Sequence, residues 1–107
     1  MKVTIREFKP GQDEAFVYST WQRGDFYKNK DNIDKYVKQK KGLWFAHKSE
    51  EIRKILETAT VKIACLESDP YVIAGYIVIN GNKLEHSYVK SDYRGNGIEE
   101  LLLKQRG

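Results

Sequence analysis

The residues best suited to chemistry lie close together in one stretch, Leu84-Glu85-His86-Ser87-Tyr88-Val89-Lys90-Ser91-Asp92-Tyr93-Arg94-Gly95-Asn96-Gly97-Ile98. It reads as a strand running into a glycine-rich turn that opens a helix. Backbone N–H groups at such a turn, backed by the positive end of a helix, suit phosphate or pyrophosphate. Glycine lets those N–H groups approach an oxygen closely, and Arg94 adds a positive charge. Taken alone, Tyr93-Arg94-Gly95-Asn96-Gly97 is equally the pattern of an ordinary turn.

Glu85, a carboxylate on the strand that leads into the turn, is the candidate general base. Strict alternation puts Glu85 on the same face as Ser87 and Val89. The competing reading is a solvent-facing or salt-bridged strand carboxylate. His86 falls on the opposite face and reads as structural, and His47 stands alone in a connector. Cys65 lies in an apolar strand with no basic neighbour in sequence, which suits a buried small residue better than a nucleophile. Two isolated histidines and one cysteine make no metal set.

These residues need a scaffold. Val3, Ile5 and Phe8 alternate with polar residues, as in a half-buried first strand. Lys9-Pro10-Gly11-Gln12-Asp13 breaks the chain, with Asp13 as N-cap of a helix whose Phe16, Val17, Thr20 and Trp21 recur at helical spacing and which ends near Arg23-Gly24. Asp31 or Asn32 caps a short second helix carrying Ile33, Tyr36 and Val37. Leu43-Trp44-Phe45-Ala46 reads as an apolar connector. Ser49-Glu50-Glu51 starts a further helix with a stripe of Ile52, Ile55, Leu56 and Ala59. Residues 61–66 form the next strand and 67–70 a turn. Residues 71–79 are almost continuously apolar, as in a central strand covered on both faces. Asn80-Gly81 predicts a type I′ hairpin, with both positions at positive φ, pairing 72–79 with 83–90. After Ile98, Leu101 and Leu102 mark one face of a last helix. The sum is an α+β fold: a mostly antiparallel sheet with helices packed on it, in one domain over 1–107.

The chain has 107 residues and a formal net charge of +4, so a single modest core is expected. Much of the positive excess lies in Lys28, Lys30, Lys35, Lys38, Lys40, Lys41, Lys48, Arg53 and Lys54. Such lysines are either the solvated side of amphipathic helices or a face for an anionic partner. No nucleic-acid motif accompanies them, which argues against nucleic acid as a partner. The single cysteine and the absence of an apolar N-terminal run imply a reducing, cytoplasmic compartment and no membrane anchor.

Val89-Lys90-Ser91-Asp92-Tyr93-Arg94-Gly95-Asn96-Gly97-Ile98 resembles the acyl-CoA-binding motif of the GNAT superfamily of N-acetyltransferases. There, a strand ending in an apolar residue leads to Gln/Arg-x-x-Gly-x-Gly/Ala at a helix start, and the preceding order of elements is similar. Weaker similarity to short proteins of tailed phages points to a virion or an infected host cell as alternative locations. The resemblance implies a GNAT-like fold and acetyl transfer from acetyl-CoA to an amine. Backbone groups of Tyr88 and Val89 would pair with the pantetheine arm, and those of Arg94, Gly95, Asn96, Gly97 and Ile98 would hold the pyrophosphate. Two departures stand out. Glu99 occupies a position that is usually Gly or Ala; a carboxylate about 6 Å from a phosphate charge costs about 0.7 kcal/mol at water's dielectric and about 3 kcal/mol at an effective value of about 20. The C-terminal strands of the family, and the tyrosine that often protonates the departing thiolate, have no counterpart here, and Tyr88 and Tyr93 are poor substitutes. The expectation is therefore a truncated domain whose open strand edge is completed by another copy, another chain or a longer product. The alternative is a non-catalytic or virion-associated protein that uses that edge, or its basic helices, to bind a protein partner.

Overall fold

In a computed structural model, which describes residues 2–28 and 41–106, a four-stranded antiparallel sheet runs in the order β1-β2-β3-β4. The strands are β1 (Val3–Glu7), β2 (Thr60–Leu66), β3 (Asp69–Asn80) and β4 (Lys83–Val89). Helices α1 (Glu14–Lys28) and α2 (Lys41–Leu56) cover one face. The short α3 (Ile98–Leu103) covers the other. None of the described helices is long and apolar enough to cross a membrane.

Each face carries its own core. Val17, Trp21 and Ile52 pack on Val61, Ile63, Cys65, Tyr76 and Val78 beneath α1 and α2. Ala64, Ala74, Ile77 and Ile79 pack on Ile98 and Leu102 beneath α3. The apolar run in β3 is thus buried on both sides, as expected of an inner strand. Cys65 is fully buried and reduced.

The first helix runs past its expected end at Gly24, because Gly24 keeps a negative φ and Phe26, two residues on, is buried. Phe26 packs on Trp44 and Phe45 with ring centroids 5.2 and 5.4 Å apart. The same contact draws the expected connector 43–46 into α2, so Ser49 is not a helix start but lies inside a 16-residue helix. Gln22 donates to both Phe45 O and the Ser49 hydroxyl and clamps the two helices together. His47 is exposed on α2. The short helix expected around Ile33, Tyr36 and Val37 lies outside the described residues.

The hairpin between β3 and β4 also differs in detail. Asn80 pairs with Lys83 across a Gly81-Asn82 loop, and only Gly81 has positive φ, at 64°. That is the pattern of a type II′ turn, not type I′.

A buried ion pair fixes where α1 begins. Arg6 of β1 donates to both carboxylate oxygens of Asp13 at 2.8 and 2.9 Å, and Lys9 N–H donates to the same group at 2.7 Å. Asp13 is 1% exposed. Burial by itself would raise its pKa, but the hydrogen bonds from Arg6 and the Lys9 N–H outweigh that, and the pKa falls below the ordinary carboxylate value. Arg6 also reaches Pro70 O at 3.2 Å, so one guanidinium ties β1, the start of α1 and the first residues of β3 together.

The glycines and the ion pair can each be tested by substitution. A Cβ at Gly75 would lie 2.4 Å from Tyr88 O and 3.2 Å from Val89 Cα, both backbone atoms. Gly75→Ala should cost about 1–3 kcal/mol in urea denaturation. Gly24→Ala, in a helix with nothing within 4 Å, should instead gain about 0.5–1 kcal/mol. The depressed pKa of Asp13 gives stability that is full above its unfolded value of 3.8 and is lost as pH falls through the folded value. Asp13→Asn should therefore lower stability at neutral pH and flatten its decline between about pH 5 and 2, as read from denaturation midpoints across that range.

Candidate functional site

The site begins where β4 leaves the sheet. After Val89 a 3-10 turn (Ser91–Tyr93) is closed by Tyr93 N–H donating to Lys90 O at 2.9 Å and Arg94 N–H to Ser91 O at 3.3 Å. Gly95 and Gly97 then take φ of 83° and 77°. Such values suit glycine because an L side chain there crowds the following carbonyl. Gly97 caps α3, whose first turn is closed by Leu101 N–H on Gly97 O at 3.0 Å. The N–H groups of that first turn have no partner inside the helix. A hollow of about 290 Å³ lies over this turn, lined by Val89, Tyr93, Arg94, Gly95, Gly97 and residues 98–100.

Not every residue expected in the turn faces that hollow. Asn96 donates its amide to Tyr93 O at 3.1 Å and braces the loop. The side chain of Ile98 is buried in the α3 core, so only its backbone could meet a ligand. Arg94 folds back along β4 and donates from Nε to Val89 O at 3.0 Å. Glu99 is exposed and borders both this hollow and the next.

The outer side of β4 is an edge, because β3 is its only neighbour in the described sheet. Lys90 N–H donates to Ala74 O at 2.8 Å, and Val89 pairs with Gly75. This geometry makes Val89 and Gly75 a non-hydrogen-bonded pair, so the N–H and C=O of Val89 face outward. By the same alternation those of Ser87 face outward and those of Tyr88 face β3. The Tyr88 backbone, expected to meet a ligand arm, instead faces β3, and the outward groups are those of Ser87 and Val89.

The face assignment of Glu85 is corrected as well. Val78 pairs with His86 but Ile79 pairs with Leu84, which leaves Glu85 as an extra residue in a β-bulge. Leu84 and Val89 therefore share the α3 face despite their odd separation. Glu85 instead borders a hollow of about 430 Å³ between α1 and β4, with Thr20, Gly24, Asp25 and residues 86–88. Its carboxylate is 14% exposed and lies 3.2 Å from Lys83 Nζ. His86, expected on the face opposite Glu85, borders the same hollow and stacks on Trp21 at 4.5 Å with rings 2° apart. Asp25 bonds Lys48 Nζ at 2.7 Å.

The wall of this hollow is rigid. The Thr20 hydroxyl lies 2.7 Å from Phe16 O and 2.8 Å from the Tyr76 phenol, which also reaches Val17 O at 3.2 Å. Burial pushes the Tyr76 pKa far above its ordinary value, so the phenol stays protonated. Tyr88 leans on Phe16 and Tyr76 with centroids 6.0 and 5.7 Å away. A middle hollow of about 250 Å³ is lined by Ser87, Tyr88, Val89, Arg94 and Glu99. It shares Arg94 with both others, so the three join in one trough from the glycine turn, along the edge, to α1. Thr20, Gly24 and Asp25 were not legible as site residues, since nothing in α1 marks the face it turns to β4. Among the described residues no group of three or more His, Cys, Asp or Glu could hold a metal ion.

No protein-family model matches the chain, and neither does any curated protein. Among solved structures, the solution structure of the apo form of YjaB from Escherichia coli aligns with a TM-score of 0.65. The chain is similar to YjaB in fold. Identity is 17%, and the alignment covers 99% of this chain and 65% of that one. This chain thus spans a little under two thirds of the YjaB chain, and the likeness concerns the α+β architecture alone.

The glycine turn offers a local check. A Cβ added at Gly95 or Gly97 would meet no atom within 4 Å, so substitution there acts through φ alone. Gly95→Ala and Gly97→Ala should each cost about 1–2 kcal/mol in thermal or urea unfolding while leaving the circular dichroism spectrum unchanged.

Proposed function

We propose that the chain is a GNAT-like N-acetyltransferase that moves an acetyl group from acetyl-CoA to an amine. The observation that carries this reading is the continuous trough: a glycine turn suited to phosphate, an unpaired strand edge beside it, and a hollow bordered by a carboxylate at the far end. The order of elements up to α3 supports it. The residues fit the cofactor. Backbone N–H groups over residues 95–99 would hold the pyrophosphate, Arg94 would add charge, and the outward groups of Ser87 and Val89 would hold the arm. Glu99 is exposed and can turn its carboxylate to solvent.

When bound, acetyl-CoA supplies an acetyl group activated as a thioester. Glu85 would receive the proton that the amine loses as it attacks, directly or through one water. The rigid Thr20, Tyr76 and Tyr88 wall keeps that carboxylate and the acceptor in register. Neither Tyr88 nor Tyr93 is assigned as the acid for the thiolate: the Tyr88 ring leans on Phe16 and Tyr76, and Tyr93 packs against the α3 core.

The open edge also favours a second reading, a non-catalytic protein that binds a protein partner there. Calorimetric titration with acetyl-CoA separates the two. Saturable binding that Gly97→Glu abolishes supports the transferase, and no binding at millimolar ligand overturns it. In a transferase, Glu85→Gln should lower kcat about 100-fold and leave acetyl-CoA binding unchanged.

A further inference from the structure

Asparagine stands directly before glycine twice in the chain, at Asn80-Gly81 and at Asn96-Gly97. In such a pair the backbone nitrogen of the glycine can reach the asparagine carboxamide, because no Cβ shields it. We propose that Asn96 is a spontaneous modification site, where attack by the Gly97 nitrogen turns the carboxamide into a carboxylate in the middle of the glycine turn.

The step needs only water and solvent base. The Gly97 amide nitrogen gives up its proton and bonds to Asn96 Cγ, the Cγ–Nδ2 bond breaks, and Nδ2 takes up a proton and leaves as ammonia. Water then opens the five-membered imide at one of its two carbonyls. Opening at Cγ leaves aspartate. Opening at the main-chain carbonyl leaves isoaspartate, whose chain runs through Cβ and Cγ.

Local structure separates the two sites. Ring closure requires the peptide after the asparagine to rotate until its nitrogen meets Cγ. Asn80 resists that rotation, since it ends β3 in register with Lys83 and its amide donates to Thr58 Oγ1 at 3.0 Å. Asn96 is exposed between Gly95 and Gly97, both at positive φ and outside every strand and helix. Its amide is held within the turn, on Tyr93 O at 3.1 Å. Among the described residues no backbone acceptor holds the Gly97 N–H.

Conversion removes the donor that braces Tyr93 O and sets a new carboxylate beside the exposed Asp92, Glu99 and Glu100. In the transferase reading, on which this consequence alone rests, the added charge opposes the pyrophosphate and the turn loses its cofactor as the chain ages.

The test holds the full chain at mildly acidic and at mildly alkaline pH and reads each Asn-Gly peptide by mass spectrometry with electron-based fragmentation, which tells isoaspartate from aspartate. Conversion should rise with pH and run about tenfold or more faster at Asn96 than at Asn80, because Asn80 must first give up its ladder and Thr58 bonds. In urea, where neither site is held, the two should convert at like rates. A folded chain that keeps its Asn96 amide, or converts Asn80 as fast, overturns the proposal. Asn96→Asp, beside Asn96→Gln as control, should weaken acetyl-CoA about tenfold in calorimetric titration; unchanged affinity overturns the stated consequence. A wild-type chain that binds no acetyl-CoA overturns the transferase reading, while the mass spectra, taken without ligand, still decide the modification.

Discussion

A side chain at position 75 would have to push β4 away, because its first carbon would lie 2.4 Å from the Tyr88 carbonyl. That gap brings β4 close against β3 just before the chain leaves the sheet. The pairing of Gly75 with Val89 and of Tyr76 with Tyr88 follows from it. So does the hydrogen-bond phase of the strand, which turns the backbone of Tyr88 inward and those of Ser87 and Val89 outward. The trough borders this edge, and its floor is thus set by a residue with no side chain.

The helical wall depends on a different kind of contact. A small domain has little apolar area with which to place a helix, and here buried polar groups supply the precision. Arg6 and Asp13 fix the first turn of α1 against β1. Two turns on, Thr20 and the Tyr76 phenol fix its middle against β3. Each is satisfied by several bonds, as a buried polar group must be if it is not to destabilise the fold. Between them these contacts hold α1 at two points along the wall of the 430 Å³ hollow beside β4.

Local patterns in the sequence carried most of the strands. Alternation in β1, the apolar run of β3 and the Asn80-Gly81 signal all located their elements, because strand burial follows directly from side-chain period. The errors have tertiary causes. Gly24 looks like a helix stop, yet Phe26 finds the ring pair of Trp44 and Phe45 and the helix continues. The same aromatic contact turns an expected connector into the start of α2. Alternation failed at Glu85 because a bulge adds one residue without any mark in composition. In the site, the glycine turn was legible from residue types alone, whereas Ser87, Thr20 and Asp25 enter only through strand phase and helix facing.

Arg94 links the separate parts of this surface. It borders all three hollows of the trough, and its bond to Val89 O covers the last outward carbonyl of β4. What remains uncovered is short: the two backbone groups of Ser87 and the N–H of Val89. An extended ligand arm would have only these three groups to pair with. The bulge at Glu85 interrupts the regular ladder toward the hairpin, and the departure of the chain after Val89 ends it at the other side. An edge this short suits one extended chain or ligand arm at a time.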